Sequence, residues 1–203
     1  MSPLSSLEAE GLSCIRGGRL VFRELGFRAE AGQAIAVEGA NGAGKTSLLR
    51  LIAGFLAPAS GAISFESDDG VIADGEERGR YVGWLGHHDG AKPQLSPREM
   101  LVFCAKLYGV TADVDALLRA VGLVRAADLP CQYLSAGQKR RLALARLSLS
   151  ARPLWLLDEP LAALDAQGKS LLRDWIAAHC AKGGIVMAAT HEPLGLETTR
   201  LAL

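Results

Sequence analysis

The sequence lacks long apolar runs and an excess of one charge, and each absence excludes a class of protein. Its apolar runs, such as "PLWLL" before Asp158, fall far short of the roughly 20 residues that a membrane-spanning helix needs. Lys plus Arg and Asp plus Glu number 22 each, so no general positive field attracts nucleic acid. We therefore expect no membrane span within this sequence and no nucleic acid as the main partner.

Cysteine is scarce and scattered. The four residues are Cys14, Cys104, Cys131 and Cys180, and no two of them form a C-x-x-C pair. This spacing argues against a disulfide framework, a zinc site and covalent haem attachment. We expect these side chains to be buried or partly buried. The opening "MSPLSSLEAEG" has no basic leader before an apolar stretch and is not typical of a secretory signal.

The patterning of the 203 residues predicts an α/β protein with a mainly parallel sheet. Buried-strand patterns ("QAIAVEG", "PLWLLDEP", "GIVMAATH") alternate with helical ones ("KTSLLRLIAGF", "GKSLLRDWIAAHC"). The first thirty residues predict two short antiparallel strands joined by a turn at Arg16–Arg19. A capping box at Ser96–Glu99 opens a helical stretch. We expect one domain over 1–203, with a core at 1–90 and 151–203 and a helical insert at about 91–150.

A phosphate-binding loop follows the "QAIAVEG" strand and opens a helix, in the pattern G-x-x-x-x-G-K-[ST]. Its residues are Gly39, Ala40, Asn41, Gly42, Ala43, Gly44, Lys45, Thr46 and Ser47. Glycines let backbone N–H groups turn toward an anion, and the helix N-terminus adds partial positive charge. Lys45 supplies a charge for the β- and γ-phosphates of a nucleotide, and the Thr46 hydroxyl is a predicted Mg²⁺ ligand.

Two carboxylates follow a second buried strand, "LWLL". Asp158 stands at its carboxyl end, where open α/β sheets bind ligands, and is the second predicted Mg²⁺ ligand. Glu159, one position further, can accept a proton from an attacking water. Together with the loop, these residues predict hydrolysis of a nucleotide bound with Mg²⁺.

Leu134–Gln138, "LSAGQ", resembles the L-S-G-G-Q signature motif of ATP-binding cassette (ABC) ATPases, with Ala136 in place of the first glycine. The resemblance covers nearly the whole chain, because "AALD" with Asp165 and "TH" with His191 follow in the order of that family. The resemblance implies an ATP-binding, Mg²⁺-dependent ATPase with the mixed sheet, antiparallel N-terminal β part and helical subdomain of a P-loop ABC ATPase.

The resemblance also implies that two copies pair head to tail, with the signature of one copy closing over the ATP held by the other. Signature residues that contact this ATP would be Ser135, Ala136, Gly137 and Gln138. His191 would donate to the γ-phosphate and steady Glu159 and the water, and Asp165 would couple the two sites. By itself, "LSAGQ" is equally compatible with a helix that begins at an N-cap serine.

Two positions depart from the family pattern. Arg16 stands where most cassettes have an aromatic residue that stacks on adenine, and a guanidinium plane can also stack on a base. His87, with His88 beside it, stands where most have a glutamine that contacts Mg²⁺ and the attacking water. A neutral imidazole could hydrogen-bond that water. The alternative is a histidine that merely lies in the turn.

The segment "LGHHDGAKPQLSPREML" resembles the haem-exporter ATPases of bacterial cytochrome c maturation. This resemblance implies a peripheral ATPase on the cytoplasmic side of the inner membrane, bound to integral membrane subunits that handle haem. Whether haem itself moves or a loaded haem chaperone is released stays open. Alternatives are the ATPase of another small ABC exporter, a soluble ABC ATPase acting on DNA or ribosomes, and a module that binds nucleotide without hydrolysing it.

Two further predictions concern the helical insert. The basic run Lys139, Arg140 and Arg141 is expected to be a solvated helix face rather than a nucleic-acid patch. Apolar side chains such as Leu101, Phe103 and Tyr108 are expected to be mostly core, with a minority forming a groove for a helix of a membrane partner.

Overall fold

A computed structural model describes residues 2–87 and 89–203 of the chain. His88, which the sequence places beside the departure at His87, lies outside the described residues. The strands are β1 (Leu4–Arg16), β2 (Arg19–Glu30), β3 (Ala34–Glu38), β4 (Ser60–Ser67), β5 (Gly70–Ile72), β6 (Val82–Leu85), β7 (Leu154–Asp158), β8 (Ile185–Ala189) and β9 (Thr199–Ala202). The helices are α1 (Lys45–Ile52), α2 (Gly75–Arg80), α3 (Pro97–Tyr108), α4 (Val114–Ala120), α5 (Ala136–Leu149) and α6 (Ala166–Ala181).

The strands form two sheets, and the predicted fold class is confirmed. A four-stranded sheet has the order β2-β1-β4-β5, and each neighbouring pair in it is antiparallel. A five-stranded sheet has the order β6-β7-β8-β3-β9, in which β8 pairs in parallel with β7 and β3, and β3 with β9. All five residues of β7 and all five of β8 are buried, as expected for strands in the interior of a parallel sheet.

The chain divides into two compact units. The first consists of Met1–Trp84, Arg152–Pro160 and Ile176–Leu203, and the second of Leu85–Ala151 and Leu161–Trp175. The predicted insert at about 91–150 lies within the second unit, which also includes the Leu161–Trp175 segment. Among the residues that the structure describes, no helix is apolar and long enough to cross a bilayer.

Local signals position the helices that matter for function. At the start of α3, the Ser96 hydroxyl accepts from the Glu99 amide, and the Glu99 carboxylate accepts from the Ser96 amide, which confirms the predicted capping box. Ser135 is the N-cap of α5 and makes the same reciprocal bonds with Gln138. The phosphate loop ends at Gly44, whose φ of 103° is in the region that favours glycine.

The structure tests several predictions about single residues. Leu101 is fully buried and Tyr108 partly buried, whereas Phe103 is 50% exposed, which agrees with the expectation that most but not all of these side chains are core. Arg140 is only 3% exposed, so the basic run is not a solvated face. The strand β9 and the helix α2 were not predicted. Cys14, Cys104 and Cys131 are buried and Cys180 is partly buried, as predicted.

From His179, in the last turn of α6, we predict that the free energy of unfolding depends on pH. Its ring stacks on Trp155 with centroids 4.1 Å apart, and its Nε2 lies 3.1 Å from the Pro153 carbonyl. Burial lowers the pKa of His179 below the usual 6.5, because the charged ring is poorly solvated there. The unfolded chain therefore binds a proton first, and the free energy of unfolding falls as pH drops below about 6.5.

We expect His179→Phe, which keeps the stacked ring without titrating, to flatten this loss below about pH 6.5. Urea denaturation of both proteins at several pH values measures it. Parallel stability profiles for the two proteins would remove His179 as the cause.

Gly184→Ala serves as a packing test at neutral pH, because its Cβ would lie 2.2 Å from the His179 Nε2, and we expect it to destabilise the fold.

Candidate functional site

The phosphate loop joins β3 to α1 and holds its lysine inside the first unit. Lys45 is 7% exposed, and its Nζ donates to the carbonyl oxygens of Gly39 at 2.9 Å and Ala40 at 3.4 Å. A Cβ on Gly44 would lie 2.4 Å from a Val21 methyl carbon, so this close approach excludes any larger residue. The remaining loop residues lie between these points, with Asn41 exposed at the tip. Ser47 is half-buried in the first turn of α1.

The two predicted metal ligands contact each other. The Thr46 hydroxyl oxygen lies 3.0 Å from each carboxylate oxygen of Asp158, to which it donates. Asp158 ends β7 and is 4% exposed, and Thr46 is the second residue of α1. A hydroxyl and a carboxylate are hard oxygen donors, the kind that Mg²⁺ prefers.

Glu159 and His191 lie at the carboxyl ends of neighbouring strands. Glu159 has a φ of 47°, and its amide donates to the Ala189 carbonyl at 2.9 Å, so the turn after β7 is fixed against the end of β8. Residues other than glycine in this left-handed region cluster at functional sites. The Glu159 Oε1 lies 3.4 Å from the His191 Nε2, and both side chains are partly exposed.

A contact that sequence reasoning did not anticipate joins Lys45 to His191. The Lys45 Nζ lies 3.0 Å from the His191 Nε2. An ammonium group has donors only, so Nε2 accepts and the proton of a neutral ring lies on Nδ1. No periodicity or motif signals this contact, because the two residues are 146 positions apart. A cavity of about 340 Å³ opens beside them, lined by Gly39, Thr190, His191 and Arg200 among others.

Arg16, the predicted adenine contact, ends β1 and is exposed. It pairs across the hairpin with Arg19, next to the turn glycines Gly17 and Gly18. The structure therefore presents the guanidinium to solvent in the first unit, which also contains the phosphate loop, Asp158 and Glu159.

The signature residues lie at the start of α5 in the second unit. The Ser135 oxygen accepts from the Gln138 amide at 3.2 Å, so the cap uses the oxygen as an acceptor and leaves the hydroxyl proton as a donor. Ala136 is exposed. A Cβ on Gly137 would lie 2.9 Å from the Ala163 carbonyl oxygen, which explains the glycine.

Asp165 is tied to the same helix. Its Oδ1 accepts from the Gly168 amide at 2.8 Å and from the Arg141 guanidinium at 2.5 Å. The Gly168 amide and the Arg141 guanidinium hold the pKa of Asp165 below its usual range. The Asp165 carboxylate is therefore ionised at neutral pH, and the residue that precedes α6 is anchored to α5 within the second unit.

His87, the residue in place of the usual glutamine, is exposed just beyond the end of β6, in the second unit. It borders a cavity of about 430 Å³ that Asp89, Cys131, Gln132 and Lys139 also line. Sequence reasoning missed the partner of this segment, the buried Arg140, because nothing in a basic run shows which side chain turns inward.

Comparisons with known proteins show the family to which the chain belongs. The family model described as "ABC transporter" matches residues 22–162. A cytochrome c biogenesis ATP-binding export protein CcmA from Rhodopseudomonas palustris (strain BisB5) is 50% identical over 97% of both chains. The protein of the same name from Hyphomonas neptunium is 46% identical, over 95% of this chain and 93% of that relative's length.

The solved structure of an ATP-binding subunit of an ABC transporter superposes on this chain with a TM-score of 0.76 and is 26% identical in sequence. The match covers 91% of this chain and 79% of the solved chain. The matched family, the length of the aligned relatives and the shared fold all agree with the order of the motifs. This chain belongs to the ABC transporter family and, within it, to the cytochrome c biogenesis ATP-binding export proteins.

Proposed function

We propose that this ATP-binding chain is the Mg²⁺-dependent ATPase subunit of a membrane export complex that serves haem delivery in cytochrome c assembly. One observation carries the ATPase mechanism: Lys45, Thr46, Asp158, Glu159 and His191 converge within the first unit. This cluster contains a cation for phosphate, two oxygen ligands, a carboxylate base and a histidine. Hydrolysis of a bound triphosphate needs these groups.

The roles within the cluster follow from charge and reach. The loop amides of Gly39–Thr46 and the Lys45 ammonium bind the phosphates, and Glu159 accepts a proton from the attacking water. Once the Lys45 ammonium leaves the His191 Nε2, that nitrogen, 3.4 Å from the Glu159 carboxylate, can orient it, and the ring can also hydrogen-bond the γ-phosphate. Arg16 stacks on the base through its guanidinium plane.

Mg²⁺ fits the oxygen pair formed by Thr46 and Asp158. Both side chains offer hard oxygen ligands, and their 3.0 Å separation allows both to face one small cation or its water shell. When bound, the ion neutralises charge on the phosphate oxygens. Asp158 and Thr46 hold it, and they are already oriented toward each other by their hydrogen bond.

A second copy of the chain completes each ATP site in this proposal. The Ser135 hydroxyl proton and the backbone N–H groups at the N-terminus of the 14-residue helix α5, that of Gly137 among them, are donors suited to a γ-phosphate. Ala136 and Gln138 flank them. Asp165, which is hydrogen-bonded to Arg141, couples the two ATP sites of the dimer. His87 hydrogen-bonds the attacking water in place of the usual glutamine.

The export role rests on the relatives, whose names describe ATP-binding export proteins of cytochrome c biogenesis. Cytochromes of this type carry covalently bound haem, so their assembly requires haem to be delivered to the apoproteins. We propose that the chain lies on the cytoplasmic side of the bacterial inner membrane, bound to integral membrane subunits that handle haem.

The partner proposal is tested by purifying the tagged full chain from gently solubilised membranes. We expect integral membrane proteins to co-purify and the complex to show the Soret absorbance of haem. Cells that produce only Glu159→Gln should lose haem-stained c-type cytochromes, whereas Glu76→Gln, a change on the exposed face of α2, should leave them unchanged. Recovery of a permease without haem, with normal cytochromes in the Glu159→Gln strain, would overturn the haem role.

A further inference from the structure

The signature helix α5 carries a charged side chain that points into the second unit rather than to solvent. Arg140 is 3% exposed, although it stands between Lys139 and Arg141 in a run of three basic residues. Burying a guanidinium is costly unless its donors are satisfied, so a buried arginine on an otherwise basic surface indicates a specific set of acceptors.

Those acceptors belong to the His87 loop, defined here as Gly86, His87, Asp89 and Gly90. The Arg140 Nη1 donates to the Gly86 carbonyl at 2.7 Å and to the Asp89 carboxylate at 3.1 Å. The two acceptors lie on either side of His87 in the sequence. The guanidinium therefore fixes both the entry and the exit of the segment that carries the histidine.

A second arginine of α5 reinforces the contact. Arg146 Nη1 donates to the Asp89 carbonyl at 2.8 Å, six residues further along the helix. Asp89 is thus bound through its carboxylate by one arginine and through its backbone by the other. The Asp89 side chain is only 20% exposed and that of Arg140 4%, so solvent screens their ion pair weakly.

The same helix begins with the signature turn. Arg140 stands five positions after Ser135, so little more than one helical turn separates the capped N-terminus from the buried guanidinium. A helix turn with intact hydrogen bonds transmits displacement as a rigid element. A movement of the signature turn therefore carries the His87 loop with it, provided that the Arg140 contacts persist.

We propose that Arg140 is a positioning residue that locks the His87 loop to the signature helix, so that His87 and Ser135 move as one block. Its guanidinium acts through the Gly86 carbonyl and the Asp89 carboxylate and does not itself touch nucleotide. The proposal deepens the function proposed above, on which its kinetic part rests. Its structural part, that Arg140 restrains the His87 loop, can be tested without measuring catalysis.

The test compares four variants of the full chain. Arg140→Met keeps most of the side-chain volume and removes every donor, and Arg140→Lys keeps the charge but replaces the planar guanidinium with a compact ammonium group. Asp89→Asn weakens the loop side without altering α5. Lys139→Met removes the neighbouring charge of the same helix, half-exposed, and is the matched control.

Hydrogen exchange followed by mass spectrometry reads the lock directly. We expect Arg140→Met and Asp89→Asn to speed exchange about tenfold or more in peptides that span residues 83–95, because charge-assisted hydrogen bonds are lost. Arg140→Lys should be intermediate, and Lys139→Met should match the parent chain. Unchanged exchange in both Arg140→Met and Asp89→Asn would overturn the lock, whatever the ATPase result.

Kinetics of ATP hydrolysis separate positioning from simple folding support. We expect kcat to fall about tenfold in Arg140→Met, with KM for ATP within about twofold of the parent value. The loss in kcat of the Arg140→Met/Asp89→Asn double variant should be smaller than the product of the two single losses. A rise in KM alone, or losses that multiply, would overturn the positioning role. If Arg140→Met does not fold, Asp89→Asn must show the exchange and kcat changes expected of Arg140→Met, and Arg140→Lys must show intermediate ones.

Failure of this inference is distinguishable from failure of the proposed function. Faster exchange at residues 83–95 with an unaltered kcat would keep the lock and remove His87 from the reaction. An unaltered exchange pattern alongside a strong effect of Glu159→Gln would keep the ATPase mechanism and remove Arg140 from it.

Discussion

Glu159→Gln should slow ATP hydrolysis by about 10²- to 10⁴-fold, the usual contribution of a positioned general base. Glutamine keeps the size of the side chain and can still hydrogen-bond His191, whose Nε2 lies 3.4 Å from the Glu159 carboxylate. The amide cannot accept the proton of the attacking water. Because the residue is partly exposed and its backbone bond to Ala189 is unaffected, the fold and the phosphate loop should remain intact.

Single-turnover hydrolysis and equilibrium binding of a fluorescent ATP analogue check this expectation together. ATP affinity should change by less than about threefold, because the loop amides and Lys45 are untouched. Glu76→Gln, an exposed glutamate of α2, is the matched control and should retain the parent rate. A loss of only a few-fold in Glu159→Gln would assign the base to another group.

The same variant examines whether two copies share each ATP. With hydrolysis blocked, ATP should hold two chains together between Lys45 of one copy and the signature turn of the other. Light scattering should then show twice the mass of the chain in the presence of ATP and Mg²⁺. A strictly single-chain mass at saturating ATP would contradict the shared site, even if Glu159 proved to be the base.

Local signals in the sequence specify much of the fold and bring several candidate residues to the right elements. Ser96 and Glu99 predict the start of α3 because both capping bonds form within four residues. The apolar run before Asp158 predicts a buried strand, and a parallel sheet then requires Asp158 to lie at its carboxyl edge. These inferences need no knowledge of distant contacts.

Features that depend on distant partners escaped prediction. The strand β9 has only four residues, and it exists because Thr199–Ala202 pairs with β3, more than 150 positions earlier. The helix α2 buries an arginine rather than an apolar stripe: Arg78 donates to the carbonyl oxygens of Ile63 and Leu51. The buried Arg140 has the same origin, since a charge run shows composition but not which guanidinium finds acceptors inside the unit.

Lys45→Met should reduce kcat/KM for ATP by about 10³-fold, through two losses. Removing a charge-assisted bond to phosphate weakens ATP binding by about tenfold to a hundredfold. Loss of the same charge during phosphoryl transfer lowers kcat further. Methionine fills the space of the lysine stem. The three groups that face the ammonium are two carbonyls and the His191 ring, and each borders the site cavity or the exposed loop, where water can replace the lost hydrogen bond.

Binding of the fluorescent ATP analogue and steady-state hydrolysis measure the two losses separately. Lys106→Met, an exposed lysine in the last turn of α3, is the matched control and should leave both unchanged. Thermal unfolding should show Lys45→Met folded, because it removes a buried cation rather than creating one. Near-normal ATP affinity in folded Lys45→Met would mean that the phosphates bind elsewhere.

The contact between Lys45 and His191 makes a further part of this prediction specific to the chain. While the Lys45 ammonium donates to Nε2, that nitrogen cannot donate to Glu159 or to a phosphate. In the proposed mechanism, His191 therefore takes its catalytic orientation only when Lys45 moves to the triphosphate. Lys45→Met releases His191 permanently. The loss in kcat of Lys45→Met/His191→Ala should therefore be smaller than the product of the two single losses, since both changes break one linked network. Losses that multiply would show that the lysine and the histidine act independently, and that their 3.0 Å contact has no part in the reaction.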